Sequence, residues 1–220
     1  MNHEEILTKL KDAVIGMDAD GARMAAEEAL RSGLDPADAI VRGLSEGMRT
    51  VGDRFGKMEI FLSEVLTSAD AYYAALNVLR PKMSRERAQR VFTATLVIGT
   101  IFGDIHTVGK DVAIPVFESA GFNVIDLGID VPPEGFVEAV IRNGAELVGL
   151  GTYMSETFFH VPEVVKAFEK AGIREKVKII CGGPAVDPET ARKLGADDAS
   201  SDAWEAVEKL KRLLRELRGK

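Results

Sequence analysis

A bundle of four helices followed by a layered α/β domain with a five-stranded parallel sheet is the fold class this sequence predicts, on three observations. Up to about Arg87, apolar residues recur at spacings of three and four, the period of amphipathic helices. From Thr93 onward, short β-branched runs alternate with helical patterns, as in a parallel sheet covered on both faces. Between the halves lies the charged run Ser84-Arg-Glu-Arg-Ala-Gln-Arg90. It is the one good candidate linker, and it divides the chain into domains at 1–87 and 88–220.

The helices come first. Ile6, Leu7, Leu10 and Val14 share one face of the first. Asp18 can cap a second that ends near Gly33, and Asp35-Pro36 places a capping carboxylate and a first-turn proline before the third. That third helix carries Ile40, Leu44, Met48, Val51 and Phe55 on one face. Ser63 is placed as the cap of a fourth, with an apolar stripe through Leu62, Val65, Leu66, Ala69, Tyr73, Leu76 and Leu79. Four helices joined by short turns make a small bundle.

In the second half, strands are expected at Thr93–Ile98, Asn123–Leu127, Glu146–Gly151 and Val177–Cys181, with a weak fifth near Asp198. The helices between them are marked by Val112, Val116, Phe117 and Ala120, then Phe136, Val137, Val140 and Ile141, then Val161, Val164, Val165 and Phe168. Asp187–Leu194 and Ala203–Leu217 supply the last two helices, and Gly121, Gly144, Gly172 and Gly195 stop helices. This alternation reads as a flavodoxin-like (Rossmann-like) domain. In such sheets a ligand sits beyond the carboxyl ends of the strands where their order reverses, between the first and third. The loops Gly103–Gly109 and Gly151–Thr157 flank that point.

Composition excludes several classes. Of 220 residues, 46% are hydrophobic and 29% charged, the balance of a folded domain. A net charge of −7 at pH 7, with no basic stripe, argues against nucleic acid as a partner. Cys181 is the sole cysteine, so neither an intramolecular disulfide nor a cysteine-cluster metal site is possible. The N-terminal MNHEEILTKL is amphipathic and acidic, without the apolar core of a signal peptide, and no run approaches a membrane span. A cytoplasmic protein without a membrane partner is expected.

The first candidate loop reads GTIFGDIHTVGKDV and holds one of only three histidines. A carboxylate beside an imidazole can hold a proton on one ring nitrogen and leave the other to bind a metal. Asp104 stands two residues before His106, while Gly103 and Gly109 leave space for something bulky. One histidine is a poor zinc site; it suits a metal already chelated by a macrocycle with one axial position free. On spacing alone, the pair reads as readily as a surface histidine bonded to its neighbour. The fourth strand ends in CGGPAV, where Gly182 and Gly183 allow close approach to the backbone. The third ends in a small, hydroxyl-rich segment through Thr157. His3 and His160 read as surface residues, and Cys181 as a small buried hydrophobe.

Together these segments resemble the cobalamin-binding module of methionine synthase and the small corrinoid proteins of methyltransferase systems. The resemblance covers nearly the whole chain. It rests on GDIHTVGK, which matches the Asp-x-His-x-x-Gly signature at Asp104, His106 and Gly109, on CGGPAV, and on the helical GMRTVGDRFGKMEIFLSEVLTSADAYYAAL. It implies cobalamin as cofactor, with His106 as the lower axial ligand of cobalt, Asp104 bonded to it, and Thr157 continuing the relay. It implies that the nucleotide tail runs past Gly182 and Gly183, and that Phe61, Leu62 and Val65 of the helical half face the methyl group. For those three, bundle core is an equally good reading.

The chain departs from that pattern in three places. The Ser-x-Leu of the third loop is Gly151-Thr152-Tyr153, Thr107 stands where aspartate is usual, and Ser63 where proline is usual. Thr152 is one source of a substitute hydroxyl. Otherwise Gly151→Ser should tighten cobalamin binding about tenfold, unless Tyr153 already fills the space.

The resemblance implies a methyl carrier, not itself catalytic, that accepts a methyl group on cobalt from a substrate-specific methyltransferase. A second methyltransferase, acting on tetrahydrofolate or coenzyme M, takes the methyl group on, and a reductive activator is a further partner. A cobalamin-dependent regulatory or sensor module is the alternative, and a flavodoxin-like or response-regulator-like module without cobalt a third. The segment at 84–90 is a hinge candidate.

Overall fold

A computed structural model describes residues 2–83, 92–184 and 187–219. The candidate linker and hinge at 84–90, and with it the boundary at 87/88, lies outside the described residues. The chain separates into two compact units, residues 1–93 with 118–121, and residues 94–117 with 122–220.

The first unit is helical. α1 (His3–Ile15) buries Ile6, Leu7, Leu10 and Val14. α2 (Ala19–Arg31) starts where Asp18 Oδ1 accepts the Gly21 N–H at 2.9 Å. The third helix, α3, is one rod in three parts: α-helical Pro36–Asp38, a π-helical stretch Ala39–Ser45, and α-helical Glu46–Gly56. Asp35 caps it by accepting the Ala37 N–H at 2.8 Å. Its glycines let it lie close on α1: a Cβ at Gly43 would fall 2.9 Å from Leu10 Cβ, and one at Gly47 2.8 Å from Val14 Cβ. α4 (Leu62–Leu79) begins one residue ahead of the expected cap. Ser63 is not its cap; Glu64 Oε2 reaches back to the Phe61 N–H at 2.8 Å, the carboxylate half of a capping box.

The second unit is a parallel five-stranded sheet in the order β2-β1-β3-β4-β5, with β1 (Ala94–Thr100), β2 (Phe122–Asp126), β3 (Leu147–Gly151), β4 (Lys178–Gly182) and β5 (Asp198–Ser200). Its helices are α5 (Val108–Ser119), α6 (Pro133–Asn143), the single turn α7 (Ser155–Phe158), α8 (Val161–Lys170), α9 (Pro188–Lys193) and α10 (Ala203–Leu217). This is the flavodoxin-like layering expected, with the order reversing between β1 and β3. One core cluster joins Val97, Val148 and Ile179 of the sheet to Phe136 and Val140 of α6 and to Val164 and Phe168 of α8.

Register positions the site. Thr100 pairs with Gly151, Gly151 with Gly182, and Gly182 with Ser200. The carboxyl edge of four strands is therefore one row of small residues, with no large side chain to block a ligand.

Candidate functional site

The loop after β1 is held from both sides. Thr100 Oγ1 donates to the His106 carbonyl at 2.9 Å. Gly103, at φ +81°, turns the chain in the left-handed region that favours glycine. Its N–H donates to Asp130 Oδ1 at 2.7 Å, and the Asp130 N–H donates to the Asp104 carbonyl at 3.1 Å. Asp130 itself sits at φ 52°, a conformation that aspartate tolerates better than most residues. Nothing in the sequence singles it out, yet it pins the histidine loop to the loop after β2.

Asp104 is fully buried and accepts four hydrogen bonds. Oδ1 takes the His106 N–H at 3.1 Å and His106 Nδ1 at 2.7 Å. Oδ2 takes the Tyr153 N–H at 2.8 Å and the Thr157 hydroxyl at 2.9 Å. Burial pushes the carboxyl pKa up, but the hydrogen bonds from Tyr153, His106 and Thr157 outweigh it and hold Asp104 below the usual range. An ionised acceptor at Nδ1 keeps the proton there and leaves the Nε2 lone pair for a ligand. The imidazole is 52% exposed, so Nε2 is accessible. The Thr157 oxygen also lies 3.0 Å from the Met154 carbonyl; its one proton is held better by the charged acceptor.

At the start of α5, Lys110 is buried, with Nζ 2.7 Å from Asp126 and 3.0 Å from Asp111. Burial works against its charge, and the two carboxylates more than restore it. Thr107, just before α5, is exposed, and its carbonyl accepts the Asp111 N–H at 2.9 Å.

Beside the histidine loop, the small-residue row opens into a cavity of about 150 Å³, lined among others by Gly109, Gly151, Tyr153, Gly182, Gly183 and Cys181. Gly183, at φ +140°, packs so closely that a Cβ would lie 1.9 Å from the Thr152 carbonyl oxygen. Burial pushes the Cys181 thiol up to about 12, leaving an inert wall. Thr152 is buried, and its hydroxyl lies 3.3 Å from the Gly182 carbonyl. It is committed to the strand ends, not offered as the substitute donor.

The place of the missing serine is also occupied. A Cβ at Gly151 would stand 3.2 Å from Tyr153 Cε2 and 3.3 Å from Thr100 Oγ1. Gly151→Ser is accordingly expected to cost the free protein about 1 kcal/mol of crowding and to lower its Tm by roughly 2–4 °C. Differential scanning calorimetry with Gly151→Ser, alone and with Tyr153→Leu, checks this: a loss that Tyr153→Leu does not relieve would clear the ring of blame.

In the helical unit, Phe61 is 78% exposed and Leu62 partly so, while Val65 is fully buried. The structure therefore separates the three: the first two present apolar surface at the start of α4, and Val65 belongs to the packed interior. Four further apolar side chains were not anticipated from sequence. Phe102, Ile105 (71% exposed) and Val108 surround His106 in its loop, and Phe159 (71% exposed) follows α7. The signal was available: apolar residues at turn positions that no strand or helix face buries. The His160 ring meets Phe102 edge-on at 5.8 Å, outside the Asp104 network.

The donor set does not suit a bare cation: among the described residues, no group of three or more His, Cys, Asp or Glu could hold one. It suits a metal that arrives with its own equatorial ligands. Such a group needs one axial imidazole, an apolar rim and a glycine-lined cleft for any appendage, and all three are present. No helix among the described residues is long and apolar enough to cross a membrane.

Comparison with known proteins agrees with this chemistry. Two sequence profiles, both described as B12 binding domain, match residues 94–210 and 6–80. The chain is 39% identical over 213 residues to the trimethylamine corrinoid protein of Methanosarcina barkeri, covering 97% of this chain and 98% of that protein. Among solved structures, it resembles the methanol:cobalamin methyltransferase complex MtaBC of Methanosarcina barkeri, with a TM-score of 0.83, 25% identity, and coverage of 99% of this chain and 81% of the other. It also resembles a cobalamin-binding protein from Desulfitobacterium hafniense DCB-2, with a TM-score of 0.70, 29% identity, and coverage of 94% and 97%.

Proposed function

From the premise that the chain belongs to the B12 binding domain family in both its halves, we propose that it is a cobalamin-binding methyl carrier. The observation that carries this reading is the His106–Asp104 pair, with Nδ1 engaged at 2.7 Å, beside a glycine-lined cleft at the switch point of the sheet. When bound, cobalamin supplies a cobalt centre that can accept a methyl group from a donor and yield it to an acceptor.

The chain's own residues do the rest. His106 offers Nε2 as axial ligand. Asp104 holds the Nδ1 proton and orients the ring, and Thr157 with the Tyr153 N–H fixes Asp104 in turn. Phe102, Ile105, Val108 and Phe159 give the macrocycle an apolar seat that displaces water. Gly109, Gly182 and Gly183 let the nucleotide tail lie against backbone in the cleft. Phe61 and Leu62 are contacts offered by the helical domain, taken as residues 1–87, with 88–220 as the cofactor domain. The partners are a substrate-specific methyltransferase, an acceptor methyltransferase acting on tetrahydrofolate or coenzyme M, and a reductive activator. The likeness to a trimethylamine corrinoid protein supports a methylated amine as the donor class.

Titration of the purified protein with hydroxocobalamin tests this reading. The expected result is stoichiometric binding with the cofactor's own base released and histidine in its place, read from the absorption spectrum. No binding, or binding with that base still on cobalt, would overturn it.

A further inference from the structure

The way from His106 into the cleft is closed by one side chain. A Cβ at Gly109 would lie 2.4 Å from Tyr153 Cε1 and 2.7 Å from its hydroxyl, and one at Gly151 3.2 Å from Cε2. The ring therefore touches both backbones and spans the gap between the two loops. No heavy atom fits beside it in this conformation. Its centroid stands 5.7 Å from that of His106, the rings inclined at 37°. Beyond it lies the apolar part of the cavity, walled by Leu96, Ile98, Phe117, Ile180 and Ala206.

The ring is also tethered at both ends. Its backbone N–H is bound to Asp104 at 2.8 Å, so the residue cannot slide out of the loop. At the other end, the Lys110 N–H donates to the phenol oxygen. Burial and the nearby charges of Asp104 and Asp111 push the phenol up to about 12, so it stays neutral. The remaining freedom is rotation of the side chain, which breaks the bond to Lys110 and withdraws the ring from its glycine contacts.

We propose that Tyr153 is a specificity-determining residue that discriminates between corrinoids with and without a nucleotide tail. The inference rests on the corrinoid reading above. A macrocycle can seat on His106 and the apolar rim with the ring in place. A tail can pass into the cavity only after the ring has rotated away from Gly109 and Gly151. The free-energy cost of that rotation falls on tailed corrinoids alone.

The test compares hydroxocobalamin with cobinamide, which keeps the corrin and lacks the nucleotide, on the wild type, Tyr153→Leu and Tyr153→Phe. Dissociation constants are read from absorbance. Tyr153→Leu should lower the cobalamin-to-cobinamide Kd ratio about tenfold, the scale of one lost hydrogen bond with its contacts. Tyr153→Phe keeps the ring without its tether and should fall between. An unchanged ratio in both variants overturns the proposal, and so does a ratio that rises, which would make the ring a stacking platform for the base. If the leucine variant does not fold, the phenylalanine variant decides alone, on the same criterion. A wild type that binds neither corrinoid would instead bring down the corrinoid reading.

Discussion

Replacing His106 with alanine is expected to weaken hydroxocobalamin binding by about two orders of magnitude and to erase the nitrogen hyperfine structure from the Co(II) electron paramagnetic resonance spectrum. The fold should be untouched. The ring is half exposed, and Asp104 keeps three of its four donors in the variant: the backbone N–H of residue 106, the Tyr153 N–H and the Thr157 hydroxyl. Thermal unfolding of the free protein should therefore match the wild type, and that match shows the affinity loss to be local. An unchanged hyperfine pattern would remove His106 from the metal.

The second large effect is expected at Asp104, from the most conservative change available. Asparagine has the right shape and the wrong donors. If its amide nitrogen turns toward His106, it faces a backbone N–H, and Nδ1 must become an acceptor; the proton then moves to Nε2, and the ligand is lost. If it turns the other way, Thr157 can redirect its hydroxyl to the Met154 carbonyl, 3.0 Å away, but the Tyr153 N–H is left facing another donor. Either way a backbone donor loses its acceptor, at roughly 1–3 kcal/mol. Cobalamin affinity should fall about 10- to 100-fold. The stability difference is also pH-dependent. Because the folded state depresses the Asp104 pKa, its contribution is present above the unfolded value near 3.9 and is lost as pH falls through the folded value. Urea denaturation of wild type and Asp104→Asn should give curves that are well separated at neutral pH and converge in acid. A gap that persists there would mean that the carboxylate charge is not its source.

The contrast between what the sequence made legible and what it did not follows chain separation. Asp104 and His106 are two residues apart, and a pattern that local is readable as a string. The strands were readable because buried parallel strands are runs of Val, Ile and Leu, and the helices because of their period and their capping carboxylates, Asp18 and Asp35. The start of α4 was misplaced by weighting the hydroxyl of Ser63 over the acid of Glu64, which reaches back to Phe61. That choice also set Phe61, Leu62 and Val65 on one surface, whereas only the first two are exposed. The π-helical stretch at Ala39–Ser45 was hidden, since its apolar residues still meet the same neighbours. Thr157 entered through family resemblance, not through its own spacing. The Tyr153 N–H could not have been read at all: a backbone amide is the same in every residue type. Asp130 was hidden for a related reason, because its role depends on a positive φ that its side chain does not announce.

The bonds that orient the histidine cross 49 and 53 residues of sequence, from Asp104 to Tyr153 and to Thr157. Such long closures form late when a chain folds, after the local turns and helices. A chain emerging from synthesis thus displays the Asp-x-His motif well before β3 has docked beside β1. Until then the imidazole has its near neighbour but not the two donors that hold that neighbour still. Cofactor capture should consequently lag the appearance of helical structure during refolding: stopped-flow circular dichroism would plateau first, and the cobalamin absorbance change would follow as a separate, slower phase. The histidine becomes a competent ligand only when the sheet behind it is complete, so an unfinished chain cannot sequester a scarce cofactor.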